Sequence, residues 1–220
     1  MTISKTCRAL QHTILSGILA MSFYASSLAV AQAAADAPLV QDQAILNKVT
    51  SYLNNLHTIT AKFLQVAPDG SIRTGTAILQ RPGKMRFQYD KPDPQLLVAG
   101  FGLLVYHDPG LNQTTNIPLS STPLSILLAK HVKLSGDGVT VTKIRQPPGE
   151  VQISMVRTGK AAEGHLTLIF STAPLELRQW RITDSQGRVT QVSLFDLHQT
   201  HPFPDRDFEY IEDVNRSPDG

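Results

Sequence analysis

Cysteine is almost missing from this chain: of 220 residues only Cys7 is one, and it lies in a stretch that reads as a leader. Once that stretch is removed there is no disulfide, no thiolate nucleophile and no thiolate metal site, so stability must come from a packed core. Charge is scarce as well. Asp, Glu, Lys and Arg make up 17% of the residues, against roughly 25% in an average soluble domain, which points to a large apolar interior or to apolar surface that has a use. No acidic residue precedes Asp36, whereas Lys5 and Arg8 do. Without residues 1–31, 18 of the 20 basic side chains remain against 18 acidic ones, and the chain is formally neutral. A nucleic-acid binder would show a basic surplus or cluster, so that class is excluded. The usual enzyme signatures are also lacking. There is no G-x-S-x-G elbow, P-loop or H-E-x-x-H, and Gly100-Phe101-Gly102 has neither the third glycine nor the following helix of a dinucleotide site. No cofactor is expected.

What is present begins with the leader. Lys5 and Arg8 are followed by the apolar run ILSGILAMSFYASSLAV and then by the small residues Ala29, Ala31 and Ala33. This is the order of a secretory signal peptide cleaved after residue 31, or alternatively at 33. Ser16, Gly17, Ser22, Ser26 and Ser27 dilute the run, which argues against a retained membrane span. Cys7 precedes the apolar run instead of following it, unlike the acylated cysteine of a lipoprotein. Residues 1–31 are therefore read as a signal peptide and 32–220 as one exported, unanchored domain, since no repeat, low-complexity segment or linker divides the remainder.

From residue 40 to 57 the apolar Ile45, Leu46, Val49, Tyr52, Leu53 and Leu56 recur at three- and four-residue steps, predicting an amphipathic helix whose other face carries Asp42, Asn47, Lys48 and Asn54. After it, turn residues such as Asp69-Gly70, Pro82-Gly83 and Ser185-Gln186-Gly187 punctuate β-branched and aromatic runs about every ten positions. This spacing predicts antiparallel strands over 61–66, 72–80, 85–89, 95–99, 103–107, 139–144, 151–157, 165–170, 175–184, 189–197 and 208–211. Met85, Phe87 and Tyr89 alternate with Arg86, Gln88 and Asp90, giving one apolar and one wet face. In 119–132, Thr122 is placed as an N-cap, Pro123 as the first helical residue, and Leu124, Leu127 and Leu128 on one side. Some nine residues do not hold a helix alone in water, so this piece must lie on the apolar face of the sheet. The fold class is α+β, a large curved antiparallel sheet of about ten or eleven strands under a helical lid.

His198 and His201, with Asp205 and Asp207, offer metal donors, but Pro202 and Pro204 mark a loop and no metal is expected. His57, His107, His131 and His165 share no spacing that suggests a triad, and a periplasmic hydrolase built on His198 or His201 is the reading to be revived only by measured turnover. The acidic run Asp205, Asp207, Glu209, Glu212 and Asp213 reads as a solvated end. Together these features favour binding an apolar ligand over catalysis.

Several segments carry a resemblance. Gly75, Leu79, Arg81 and Pro82 form a G-x-x-x-L-x-R-P strand end, followed by an aromatic strand, a proline and a hairpin. Before them lies KFLQ (62–65), and after them TPLSILLA, LRQWRITDSQG (177–187) and FEY (208–210). In this order the chain resembles the periplasmic outer-membrane lipoprotein carrier (LolA) family over nearly its whole length after the leader. The resemblance implies an incomplete antiparallel barrel closed by helices, with a concave apolar face for acyl chains lined by Leu79, Met85, Phe87, Tyr89, Leu124, Leu127 and Leu128. It implies that Arg81 latches the lid by hydrogen-bonding lid carbonyls, so that Arg81→Leu loosens it. It further implies a periplasmic chaperone, not an enzyme, expected as a monomer, that receives acylated lipoproteins from an inner-membrane lipoprotein-releasing ABC transporter and hands them to an outer-membrane lipoprotein receptor. Met85 stands where the family often has an aromatic residue. A carrier of a free lipid, a glycolipid or another acylated molecule on the same fold is the alternative.

Overall fold

The computed structural model describes residues 33–92, 95–134, 136 and 138–211. The proposed leader and the acidic residues Glu212 and Asp213 lie outside them. The chain divides into two compact units, Met1–Pro38 and Leu39–Gly220; of the first, only the helical backbone of residues 33–38 is described. Helix α1 (Ala33–Asn55), of which residues 39–55 belong to the second unit, leads into strands β1 (Thr58–Val66), β2 (Ile72–Gln80), β3 (Lys84–Tyr89), β4 (Leu96–Gly100), β5 (Leu103–Asp108) and β6 (Gln113–Pro118). A short helix, α2 (Leu124–Leu127), then precedes β7 (Val139–Arg145), β8 (Glu150–Arg157), β9 (His165–Thr172), β10 (Leu175–Thr183) and β11 (Val189–Gln199). The eleven strands form one antiparallel sheet in the order β6-β5-β4-β3-β2-β1-β11-β10-β9-β8-β7. β6 and β7 are the two edges and do not pair, so the barrel is incomplete, as expected.

This order explains where the lid must run. The chain leaves the sheet at one edge, after Pro118, and re-enters at the other edge at Val139. The connection carrying α2 has to cross between them. It does so over the concave face: Leu124, Ile126, Leu127, Leu128, Val132 and Leu134 join the same buried cluster as Phe63, Phe87 and Trp180. α1 contributes Leu46, Val49, Leu53 and Leu56 to that cluster, the stripe its periodicity marks out.

Two strand residues show how local sequence serves the packing. Gly75 on β2 faces Tyr89 on β3 and Phe63 on β1. A Cβ there would stand 2.1 Å from the Gln88 carbonyl oxygen and 2.7 Å from the Phe63 ring, so only glycine lets the aromatic rings close over this position. On β10, Leu177 and Trp180 are three positions apart yet both are buried, because a register shift between Leu177 and Gln179 turns the strand by one extra residue.

Three expectations are corrected. The 208–211 strand does not exist; Asp205–Phe208 is a 3-10 turn with unpaired chain after it. Side chains of β2 and β3 take up this segment instead: Gln80 bonds both the amide and the carbonyl of Phe203, Arg86 Nη1 donates to the Asp207 carbonyl at 3.1 Å, and Lys84 pairs with Asp205 at 2.7 Å. Conversely β6 exists without having been expected. Its sequence, QTTNIP, has no apolar alternation because it is an exposed edge strand bonded only to β5. Lastly, Thr122 does not cap α2. Its hydroxyl donates to the Leu119 carbonyl at 2.9 Å, and Pro123 takes the N-cap position of a helix only four residues long.

Candidate functional site

The concave face is built from alternate residues of neighbouring strands in register. On β3, Met85, Phe87 and Tyr89 face inward, opposite Leu79, Ala77 and Gly75 of β2. Phe87 stands at the centre, its ring 4.6 Å from Phe63 and 5.8 Å from Trp180 between centroids, while Tyr89 meets Phe63 edge-on at 5.1 Å. Above them lie Leu124, Leu127 and Leu128. All seven expected acyl-lining residues are brought into one cluster, each at 5% exposure or less. Sequence reasoning passed over Phe63 and Trp180, and also Ile153, Met155, Leu166, Leu168 and Phe170 on the far half of the sheet. In β8 the signal was available, since Ile153 and Met155 alternate with Gln152 and Ser154; in β9 it was not, because Leu166 to Phe170 are all buried and Ile169 is as apolar as its neighbours.

Polar contacts tie the lid to the sheet, one of them from the Leu177 amide on β10 to the Tyr52 hydroxyl of α1 at 3.0 Å. Arg81 closes the β2–β3 turn, and its Nε and Nη2 both donate to the Leu56 carbonyl just past α1, at 2.9 and 2.5 Å. Its own amide donates to the His57 carbonyl at 2.9 Å. Two residues on, the Gly83 amide donates to the Leu128 carbonyl at the end of α2 at 2.8 Å, so one turn touches both lid elements. Asn54, expected on the solvent face of α1, instead bonds the Val132 amide at 2.9 Å and its carbonyl at 3.0 Å, tying the helix to the chain after α2. Burial lowers the pKa of the Arg81 guanidinium, the direction expected for a cation taken out of water. Leu53, Leu56, His57, Ile59, Leu79, Arg81, Leu127 and Leu128 line a cavity of about 10 Å³, at the limit of what one water needs and far below any acyl chain.

Tyr89 provides a check on this packing. Its hydroxyl donates to Gln65 Oε1 at 2.8 Å, and burial first, with Tyr106 second, pushes its pKa to about 12. The folded value lies above the unfolded one near 10, so neutral Tyr89 stabilises the fold fully below pH 10 and that contribution is lost as pH rises toward 12. Alkaline unfolding curves should therefore steepen between pH 10 and 12, and Tyr89→Phe should flatten that part of the curve. An unaltered curve in Tyr89→Phe would show that Tyr89 is not sealed from water.

The histidines and acidic residues do not converge. His198 is on β11, not in the loop where it was expected, and both it and His201 are exposed. Among the described residues no group of three or more His, Cys, Asp or Glu is placed to hold a metal ion. His107 Nδ1 lies 2.8 Å from the Tyr210 hydroxyl and 3.1 Å from Thr114 Oγ1, a contact between β5 and the segment after β11.

An unclosed sheet with an apolar concave face and a two-part lid is what the family resemblance implies. The profile of the family described as outer membrane lipoprotein carrier protein LolA matches residues 54–211. The chain belongs to the LolA family. Curated relatives in that family include the outer-membrane lipoprotein carrier protein of Pseudomonas aeruginosa strain UCBPP-PA14, 26% identical over 206 residues, covering 87% of this chain and 94% of that protein. The protein of the same name from Methylococcus capsulatus is 30% identical over 161 residues, covering 69% of this chain and 76% of its own. A solved structure of a LolA superfamily protein from Nitrosomonas europaea aligns with a TM-score of 0.42 at 10% identity, over 75% of this chain and 97% of that one. As members of a carrier family, LolA proteins bind and move cargo and are not enzymes. No described helix is long and apolar enough to cross a membrane.

Proposed function

We propose that this protein is a periplasmic chaperone that holds the acyl chains of lipoproteins released from the inner membrane and delivers them to the outer membrane. The observation that carries this reading is an apolar concave face buried beneath α1 and α2, with a cavity of only about 10 Å³ beside Arg81, under a lid tied by hydrogen bonds at Arg81, Gly83, Asn54 and Tyr52. Each acyl methylene exposed to water costs about 0.8 kcal/mol, so a multiply acylated protein has essentially no free aqueous state and needs an apolar host to cross water. The closed cavity has no room for such a chain. Cargo therefore binds only when the lid lifts, and closing of the empty lid competes with cargo and keeps net affinity low enough for release. Arg81 is the latch in this scheme, and Met85, Phe87, Tyr89, Leu79, Leu124, Leu127 and Leu128 are the wall that acyl chains meet. A monomer suits the task, since the lidded face must be offered in turn to an inner-membrane transporter and an outer-membrane receptor.

Native mass spectrometry of the protein purified gently from the periplasm tests the reading. Co-purified diacylated or triacylated protein is the expected result. Bound free lipid alone would replace lipoproteins as the cargo. A protein that is empty and also fails to release lipoproteins from inner-membrane vesicles would overturn the reading.

A further inference from the structure

The guanidinium of Arg81 is only partly satisfied. Nε and Nη2 share the Leu56 carbonyl, whereas Nη1 is buried with no acceptor. Apart from His57, the residues that line the same small cavity are apolar, Leu79, Leu127 and Leu128 among them. A buried guanidinium N–H without an acceptor is costly, and a charged donor in an apolar wall is a strong selector for any ligand that brings an acceptor. Leu56 follows directly on α1, its amide bonded to the Leu53 carbonyl, so a lifting α1 would draw the Leu56 carbonyl from Arg81 and leave the fork of donors at the edge of the apolar face. A plain hydrocarbon offers it nothing. An acyl chain offers a carbonyl oxygen with two lone pairs at its head, where an ester or amide joins it to the rest of the molecule.

We infer that Arg81 reads the cargo: its guanidinium holds the Leu56 carbonyl in the closed state and the ester or amide carbonyl of an acyl chain in the loaded state. The site thus selects acyl esters and amides over alkyl chains of equal length. This inference rests on the carrier reading, and its chemistry is common to lipoproteins and free acyl lipids.

Three probes with identical chains separate the possibilities: a cysteinyl lipopeptide with two ester-linked chains, its twin with ether-linked chains, and a diacylglycerol. The wild-type protein should bind the ester lipopeptide about tenfold more tightly than the ether twin, as one charge-assisted hydrogen bond requires. The ether twin is the more apolar of the two and would bind at least as well if no donor were involved. In Arg81→Leu the ratio should fall to about one, because loosening of the lid strengthens both probes by the same factor and cancels. Equal affinities in the wild-type protein, or a ratio that survives in Arg81→Leu, overturn the inference and leave the carrier reading standing. Binding of neither lipopeptide overturns both. The wild-type ratio needs no variant, so a misfolded Arg81→Leu does not remove the test. Diacylglycerol bound as tightly as the ester lipopeptide supports the carbonyl role with free lipid as cargo; weaker binding supports it with lipoprotein.

Discussion

Arg81→Leu is expected to bind a carbonyl-free alkyl probe about tenfold or more tightly than the wild-type protein. The argument is one of states. In the closed state Arg81 donates twice to the Leu56 carbonyl. In the open state that carbonyl and the alkyl probe make no use of it. Removing the side chain therefore penalises closure alone, by the worth of a charge-assisted interaction, roughly 1.5–3 kcal/mol. Relief of the unpaired Nη1 works in the opposite direction and holds the expected shift near its lower end. Since closure competes with cargo, what the lid loses the ligand gains, and 1.4 kcal/mol is a factor of about ten. A fluorescence titration reads this directly, with slower dissociation as its kinetic counterpart. An unchanged affinity would mean that the lid is held at its other contacts, among them the Gly83–Leu128 bond, the Asn54–Val132 pair and the bond from the Leu177 amide to the Tyr52 hydroxyl of α1. In that event Asn54→Ala would show the effect instead.

Much of the fold was legible because its physics is local. The three- and four-residue spacing of Leu46, Val49, Leu53 and Leu56 marks the buried stripe of α1, and the alternation of Met85, Phe87 and Tyr89 marks the inner side of β3. Both are statements about one element and its nearest solvent boundary. The expectations that failed depended on a partner distant in sequence. QTTNIP has no apolar pattern because it is a largely exposed edge strand, and its place in the sheet comes from β5 alone. Residues 208–211 have strand-like composition, but Gly100 admits the Phe208 carbonyl to within 2.2 Å of where a Cβ would stand, and side chains of β2 and β3 hold the backbone of Phe203 and Asp207 just before it. Composition could not distinguish that docking from pairing. The concave cluster is a similar case. Arg81 was readable from the R-P turn, but its acceptor, Leu56, lies 25 residues away and belongs to the end of a helix whose crossing over the sheet no spacing reports. Asn54 was assigned to solvent for the same reason: its partner Val132 is 78 residues on.

Phe87→Ala should cost about 3–5 kcal/mol of stability, the usual range for removing a fully buried aromatic side chain. Phe87 is at 1% exposure and its ring meets both Phe63 at 4.6 Å and Trp180 at 5.8 Å. Because interiors relax only partly, the deletion leaves an apolar void at the middle of the concave face, and an apolar void stays dry and accepts apolar guests. Stability loss alone would not tell a cargo wall from an ordinary core. Phe208→Ala supplies the contrast, since Phe208 is equally buried but lies outside the concave cluster, beside Gly100 of β4. Both variants should lower the thermal midpoint. Only Phe87→Ala should change the affinity for an alkyl probe, and the probe should restore part of its lost stability by mass action. If the two variants lose stability alike and bind the probe alike, acyl chains do not reach the row of Met85, Phe87 and Tyr89, and the cargo seat must lie nearer the lid, among Leu79, Leu127 and Leu128.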